Sequence, residues 1–451
     1  MHDAELSRDG LRVAIGLPSA VMLVIGGMVG VGVFVNPAVV ARSLQSPQLA
    51  LAAWTLGGLV AILGALVYAE LAARLPATGG EYVYLRTAYG PLVGFLFGWT
   101  TLLVVQAGGM AAVAIVFAKN VDVLLGAALP DNVLVVAVLA ILAGVNCVGV
   151  TLGNGVQSGL GVVKIAAIVA LVAAGLFVAP GVASAPTVRA LPAAPLAAAK
   201  LFGAAMIPVV FSYGGWQTSN YVAGEVRDAH RNLAYALVIG TLGVIALYLS
   251  VNLACLRALG VQALGQTLTP TSDVLRIVAG PVGARLAAAA IALSAIAFLS
   301  QSTLTGPRVY YAMARDGLFF RKVAEVSEGG RAPVVAIVLQ AAWTMALALT
   351  GSYEQILSYV IAMNFLFFGL SASALFILRR RDQDDVGHAG FRAFGHPWTT
   401  GLFILACVLV VASSFWAYPV NSLIGYGLML AGAPAYLFWR RRALAEAVVR
   451  S

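Results

Sequence analysis

Charge is what this chain has least of. Only 10% of its 451 residues are Asp, Glu, Lys or Arg, against 61% hydrophobic residues, and the mean hydropathy is +0.94. A soluble protein covers its surface with roughly 25% charged residues, and no single water-soluble core buries so much apolar side chain. The solvent of this chain is therefore lipid. Cysteine is scarce too. Cys147, Cys255 and Cys407 are scattered through apolar spans, which gives neither a disulfide framework nor a metal site and reads as small buried thiols. The four histidines, His2, His230, His388 and His396, fall in terminal or polar connecting segments. Without metal-ligand spacing, a nucleophile elbow or a phosphate loop in the spans, no enzyme, metal or cofactor is expected.

The net charge of +9 has no basic stripe interleaved with exposed aromatics, so nucleic acid is excluded as a partner. Met1 to Arg12 is polar and carries acids as well as arginines. It lacks a short apolar core followed by a small-residue cleavage site, so no removable signal peptide is expected.

Apolar stretches of about 20 residues mark membrane helices. They are expected near Ile15–Ala41, Leu49–Ala73, Leu92–Ala118, Val133–Val150, Val156–Val178, Ala198–Ala223, Leu233–Leu256, Leu286–Met313, Val334–Leu349, Tyr353–Leu378, Thr399–Tyr418 and Ser422–Trp439. With the N-terminus in the cytoplasm, 19 of the 27 Lys and Arg residues fall on the inside and seven outside, with Lys164 within a span. That asymmetry predicts both termini in the cytoplasm.

Two spans are interrupted. The first reads Gly26-Gly27-Met28-Val29-Gly30-Val31-Gly32-Val33-Phe34 with Pro37 one turn later, and the sixth reads Phe211-Ser212-Tyr213-Gly214-Gly215-Trp216. Each glycine weakens a helix by about 1 kcal/mol relative to alanine, and at membrane depth broken backbone survives only where it lines a cavity or meets protein partners. Gly26 and Gly30 alone would also suit a GxxxG packing face. The spacing favours a cavity: span one opens a first set of five helices and span six a second, and an odd number of spans inverts the second set. Interruptions at corresponding positions of inverted halves point to a transporter binding site. Restarting helices offer N–H groups to an anion, here Gly30, Val31 and Gly32 for a carboxylate. Carbonyls near Met28 and from Phe211 to Gly214 suit an ammonium group. Backbone alone can then hold what all α-amino acids share.

At these residues the chain resembles the L-type amino-acid transporters of the amino acid–polyamine–organocation superfamily, from about Gly16 to Arg441. Gly26 to Phe34 with Val35-Asn36-Pro37 is similar to the family's first-helix break. Tyr68-Ala69-Glu70-Leu71 through Gly79-Gly80-Glu81-Tyr82, Phe211 to Trp216 with Glu225 and Arg231-Asn232-Leu233, Arg308 to Gly317, and Asn364 to Gly369 resemble further family segments. The resemblance implies an all-α membrane protein of twelve helices with the LeuT-type fold: two inverted five-helix repeats (approximately 15–180 and 198–379), broken helices 1 and 6, and two further helices (399–440). It also implies sodium-independent transport of amino acids, often by one-for-one exchange. By matching positions Phe211 resembles the aromatic gate, while Ser212, Gln217 and Tyr248 fall near the substrate. Val31 stands where relatives carry Ser or Thr, so a hydroxyl contact to the carboxylate is lost. Animal relatives bond a glycoprotein through a cysteine after the third helix. The loop from Lys119 to Asn132 has none, so no disulfide-linked heavy subunit is expected. With four lysines against 23 arginines and abundant alanine, the composition resembles that of a bacterial protein, implying the inner membrane.

Lys164 lies about 12 Å into its span from Val156, at 1.5 Å per residue, where a charge should face the interior and find a partner. Snorkelling to the interface is the plainer alternative. The resemblance implies that the lysine occupies the place of the sodium ion in sodium-coupled relatives, and Ser300, Ser302 and Thr303 could either supply oxygens there or make ordinary i−4 backbone contacts. Glu70, Glu81 and Glu225 are expected to pair with Arg74, Arg86, Arg227 and Arg231 as gate or structural contacts. No acid lies at mid-membrane depth, so neutral substrates lead over cationic ones. A proton-coupled symporter is the rival within transport. A membrane amino-acid sensor is the rival of another class, although a sensor would normally add a soluble output domain.

Overall fold

A computed structural model describes residues 10–126, 129–181, 194–327, 332–350, 353–381 and 390–450. Arg8, Arg189, Arg331, His2 and His388 lie outside them. The described residues form seventeen α-helices: α1 Leu17–Met28, α2 Gly32–Leu44, α3 Pro47–Arg74, α4 Glu81–Tyr89, α5 Pro91–Thr100, α6 Gln106–Leu125, α7 Asp131–Val148, α8 Val150–Ala173, α9 Pro195–Tyr213, α10 Ala229–Gln266, α11 Pro270–Thr305, α12 Pro307–Arg315, α13 Val334–Thr350, α14 Tyr353–Arg381, α15 Trp398–Ala417, α16 Pro419–Leu430 and α17 Gly432–Arg450.

Ten helical segments among the described residues are long and apolar enough to cross a bilayer, α1 and α2 make one further span bent by 41°, and α13 is a shorter apolar helix. Together they fill the twelve expected places, in the fold class that the resemblance implies. The helix α4, between the second and third spans, is not foreseen by hydropathy because its residues Glu81-Tyr82-Val83-Tyr84-Leu85-Arg86 carry no long apolar run.

The first span breaks because α1 ends at Met28 and the chain restarts at Gly32. The sixth ends its α-helix at Tyr213, turns through Gly214 and Gly215, and continues as the 3-10 segment Trp216–Glu225. These breaks meet. A Cβ on Gly27 would stand 2.5 Å from the Gly215 carbonyl and 2.9 Å from Thr218 Oγ1, and a Cβ on Gly215 would collide with the Gly27 carbonyl in return. Gly215 also sits at φ +106°, a backbone conformation that side chains with a Cβ resist.

One end of the bundle is rich in arginine contacts. Glu70 accepts hydrogen bonds from Arg379 Nε at 2.9 Å and Nη2 at 2.6 Å, and from Arg74 Nε at 2.9 Å. Glu225 holds Arg308 through both carboxylate oxygens, at 2.7 and 3.0 Å, with both side chains fully buried. Arg86 pairs with Asp316, which also accepts from the Tyr82 hydroxyl at 2.6 Å. Glu70 and Glu225 thus form ion pairs while Glu81 forms none among the described residues, and of the expected arginine partners only Arg74 is one. Glu225 takes Arg308 rather than Arg227 or Arg231, and Glu81 takes the Tyr68 hydroxyl at 2.5 Å and the Ser371 hydroxyl at 2.9 Å. Hydropathy could not supply these partners, because α12 and α14 reach this end only through the fold.

The glycine crossing makes a testable demand. Gly215→Ala adds a strained φ, about 1–2 kcal/mol, to a backbone clash. It should lower the melting temperature of the detergent-purified protein by several degrees or prevent its isolation. Gly243→Ala, where a Cβ meets nothing within 4 Å, should leave melting unchanged. Equal melting of both variants would show that the crossing is not a tight contact.

Candidate functional site

A cavity lies at the crossing. The broken helices of spans one and six form one wall, with Gly27, Met28, Gly30, Val31, Gly32, Phe211, Ser212, Gly214, Gly215 and Gln217. The opposite walls come from Gln106 on α6, Phe298, Gln301 and Ser302 on α11, and Asn364 and Phe365 on α14. No Asp, Glu, Lys, Arg or His is among its lining residues.

Hydrogen bonding at the breaks decides what the backbone still offers. Gly30 N–H donates to Met28 O at 2.9 Å, so of the three donors expected at this restart those of Val31 and Gly32 remain. The Met28 carbonyl also accepts from the Tyr248 hydroxyl at 2.9 Å, and the same hydroxyl reaches the Ser212 carbonyl at 3.1 Å. Gly214 N–H donates to Phe211 O at 3.1 Å, and Gly215 N–H to Gln217 Oε1 at 3.0 Å. Tyr248 is fully buried behind the cavity wall and is not part of its lining. Its geometry is that of a brace joining the ends of the two broken helices.

Lys164 is buried on α8 behind the first break, and its Nζ donates to Val29 O at 2.5 Å and to Gly26 O at 3.5 Å. Ser300 Oγ is buried without a hydrogen-bond partner, Ser302 Oγ bonds Gln301 Oε1 at 3.4 Å, and Thr303 Oγ1 bonds back to Leu299 O at 2.7 Å. The eighth-span hydroxyl that shares one carbonyl with the lysine is Ser294, at 3.4 Å from Val29 O and 3.0 Å from Gly30 O. Lysine and serine together satisfy carbonyls that the unwound turn leaves open. Charge at membrane depth pointed to Lys164. The serine carried no comparable signal, since hydroxyls at this depth usually bond their own helix.

Three side-chain amides add contacts around the site. Asn36 Nδ2 donates to Ser212 Oγ at 2.7 Å and to Pro208 O at 3.0 Å, tying α2 to α9. Gln157 Nε2 donates to Met22 O at 2.9 Å. Gln301 Nε2 donates to Thr218 Oγ1 at 2.7 Å, joining α11 to the segment after the sixth-helix break. Amides inside apolar spans were the available signal, because a polar group at that depth faces protein.

Two interrupted helices enclosing an uncharged cavity inside a twelve-helix bundle define a secondary transporter. The chain belongs to the amino acid permease family, whose sequence profile matches residues 15–439. It is similar to the serine/threonine exchanger SteT of Bacillus subtilis (strain 168), 30% identical over 448 residues covering 96% of this chain and 98% of that protein. It is also similar to the mouse large neutral amino acids transporter small subunit 2, 28% identical over 463 residues covering 98% and 85%. The mouse b(0,+)-type amino acid transporter 1 is 26% identical over 434 residues covering 93% and 85%. The protein is accordingly an amino-acid transporter of the L-type branch, embedded in a membrane, and not an enzyme.

The Tyr248 brace separates stability from recognition. Tyr248→Phe removes one hydroxyl from two carbonyls and should cost about 1 kcal/mol of stability. Thermal melts with and without added amino acid should show a lower baseline with the ligand-induced shift retained. Loss of that shift would mean that the hydroxyl contacts the substrate.

Proposed function

We propose that the protein exchanges neutral L-amino acids one for one across the membrane, without sodium, by alternating access. The observation that carries this reading is the cavity itself: it offers backbone and neutral side chains but no charge to a bound side chain. A cationic substrate would need a carboxylate there, and an acidic one a cation. The N–H groups of Val31 and Gly32, near the positive end of α2, receive the substrate carboxylate, and Gly30 keeps the approach open. Carbonyls around Met28 and Gly214 receive the ammonium group, since an oxygen that already accepts one bond retains a second lone pair. Ser212 and Gln217 hold the sixth-helix turn in shape, and Phe211 on the cavity wall closes over the substrate. The repeats 15–180 and 198–379 move against one another, with the helices of 399–440 outside that motion.

Lys164 stands where a sodium-coupled carrier would need its ion, with Ser300 and Ser294 on the neighbouring helix. A cation placed 4 Å from its ammonium would be repelled by about 4 kcal/mol at an effective dielectric of 20. The fixed charge therefore holds the first break to α8 in sodium's stead. The arginine-rich end and both termini face the cytoplasm of a bacterial inner membrane, and the carrier works without a disulfide-linked heavy subunit.

Proton symport is the second reading, favoured by one observation. Glu81, outside the spans, pairs with two hydroxyls instead of a cation, and burial pushes its pKa up to about 7. Uptake of labelled amino acid into liposomes distinguishes the readings. Preloaded unlabelled amino acid should accelerate uptake several-fold, while imposed sodium or proton gradients should not drive accumulation. Lys164→Ala should slow exchange about tenfold or more with only a modest loss of affinity. Accumulation driven by sodium would refute the role of Lys164, and accumulation driven by protons would install symport.

The gate is tested separately. Phe211→Ala should impair exchange at least tenfold while changing equilibrium binding less than threefold, because closure rather than contact is lost. Wild-type exchange by this variant would remove Phe211 from the gate.

A further inference from the structure

The arginine-rich end also carries a groove away from the transport cavity. It lies between the 3-10 turn Arg321–Ala324, the first turns of α13 and the middle of α17. Phe320, Leu339 and Trp439 supply apolar wall, Arg321, Lys322 and Arg442 supply the rim, and no acidic side chain is among its lining residues. Trp439 is only 7% exposed. Phe320 packs edge-on against it at 4.6 Å and 78°, and the Arg442 guanidinium lies 5.9 Å from its ring. Phe320 itself remains 56% exposed. A second, shallow hollow that shares Arg442 lies along α17 at Leu437, Phe438 and Arg441.

This order of chemistry is amphipathic along one line. Aromatic rings and aliphatic side chains suit the acyl region and its boundary, and a cluster of cations between helices suits an anionic headgroup. We propose that the groove binds one anionic phospholipid, its phosphate between Arg321, Lys322 and Arg442 and its acyl chains along Leu339, Phe320 and Trp439. Charge complementarity selects this occupant. A zwitterionic lipid brings its own cation against the basic rim, and a free phosphate leaves the aromatic wall without a partner. Whatever internal contacts the two arginines keep, planar guanidinium groups can add bonds to phosphate oxygens.

The test places Trp439 as the local probe. The full-length protein is reconstituted in phosphatidylcholine bilayers, into which acyl-brominated phosphatidylglycerol or acyl-brominated phosphatidylcholine is titrated. The quenching lost in Trp439→Phe isolates the signal of the groove. Phosphatidylglycerol should saturate that signal at a mole fraction at least tenfold lower than phosphatidylcholine does. The combined variant Arg321→Gln, Lys322→Gln, Arg442→Gln should erase the preference, by about fivefold per cation, which is about 1 kcal/mol each. Where that variant is not monodisperse, the exposed Lys322→Gln alone should show its fivefold share. Equal saturation by the two lipids, or a preference intact in the variants, overturns the proposal. Relief of the quenching by millimolar inorganic phosphate also overturns it, since the rim would then read phosphate alone.

Discussion

Two glycines facing each other hold the centre of this molecule together. Gly27 and Gly215 bring the backbones of spans one and six closer than any Cβ allows, and Tyr248 closes the junction by bonding the carbonyls of Met28 and Ser212. The cavity exists because of this contact: its wall is the backbone that each break sets free. A residue with a side chain at either glycine would part the two helices or fill the space between them. Broken helices cost stability inside a bilayer, and here freed groups are satisfied by one another and by side chains from α8, α10 and α11.

Charge is partitioned around that junction in a consistent way. The cavity lining is neutral, while Lys164 is turned to the back of the first break. The buried Glu225–Arg308 pair and the Glu70–Arg379 pair sit at the arginine-rich end. Glu225 also accepts backbone bonds through its carbonyl from Ala14 and Ile15 at 3.0 and 2.9 Å. Spans one and six are therefore stitched together both at their breaks, in the middle, and at the edge of the bundle, where the start of one meets the end of the other. Pairs of this kind add little net stability but strongly resist the loss of one partner.

Much of this was legible without coordinates. A chain with so little charge and so long a series of apolar runs has lipid for its solvent, and hydropathy over about 20 residues locates helices because the bilayer fixes their length. The breaks were legible because glycine clusters are local, and Lys164 because charge at membrane depth is expensive. Those conclusions depend only on neighbouring residues and on the thickness of the membrane. Tertiary structure alone decided the rest. It set Tyr248 behind the wall instead of against the cavity, engaged the Gly30 N–H with Met28 O, chose Ser294 over Ser300 beside the lysine's carbonyls, and gave Glu225 to Arg308. Each of those outcomes joins residues far apart in the chain or turns on the path of an unwound segment. Hydrophobic periodicity records which side chains avoid water, but a hydrogen bond is settled by distances near 3 Å, and only packing sets those.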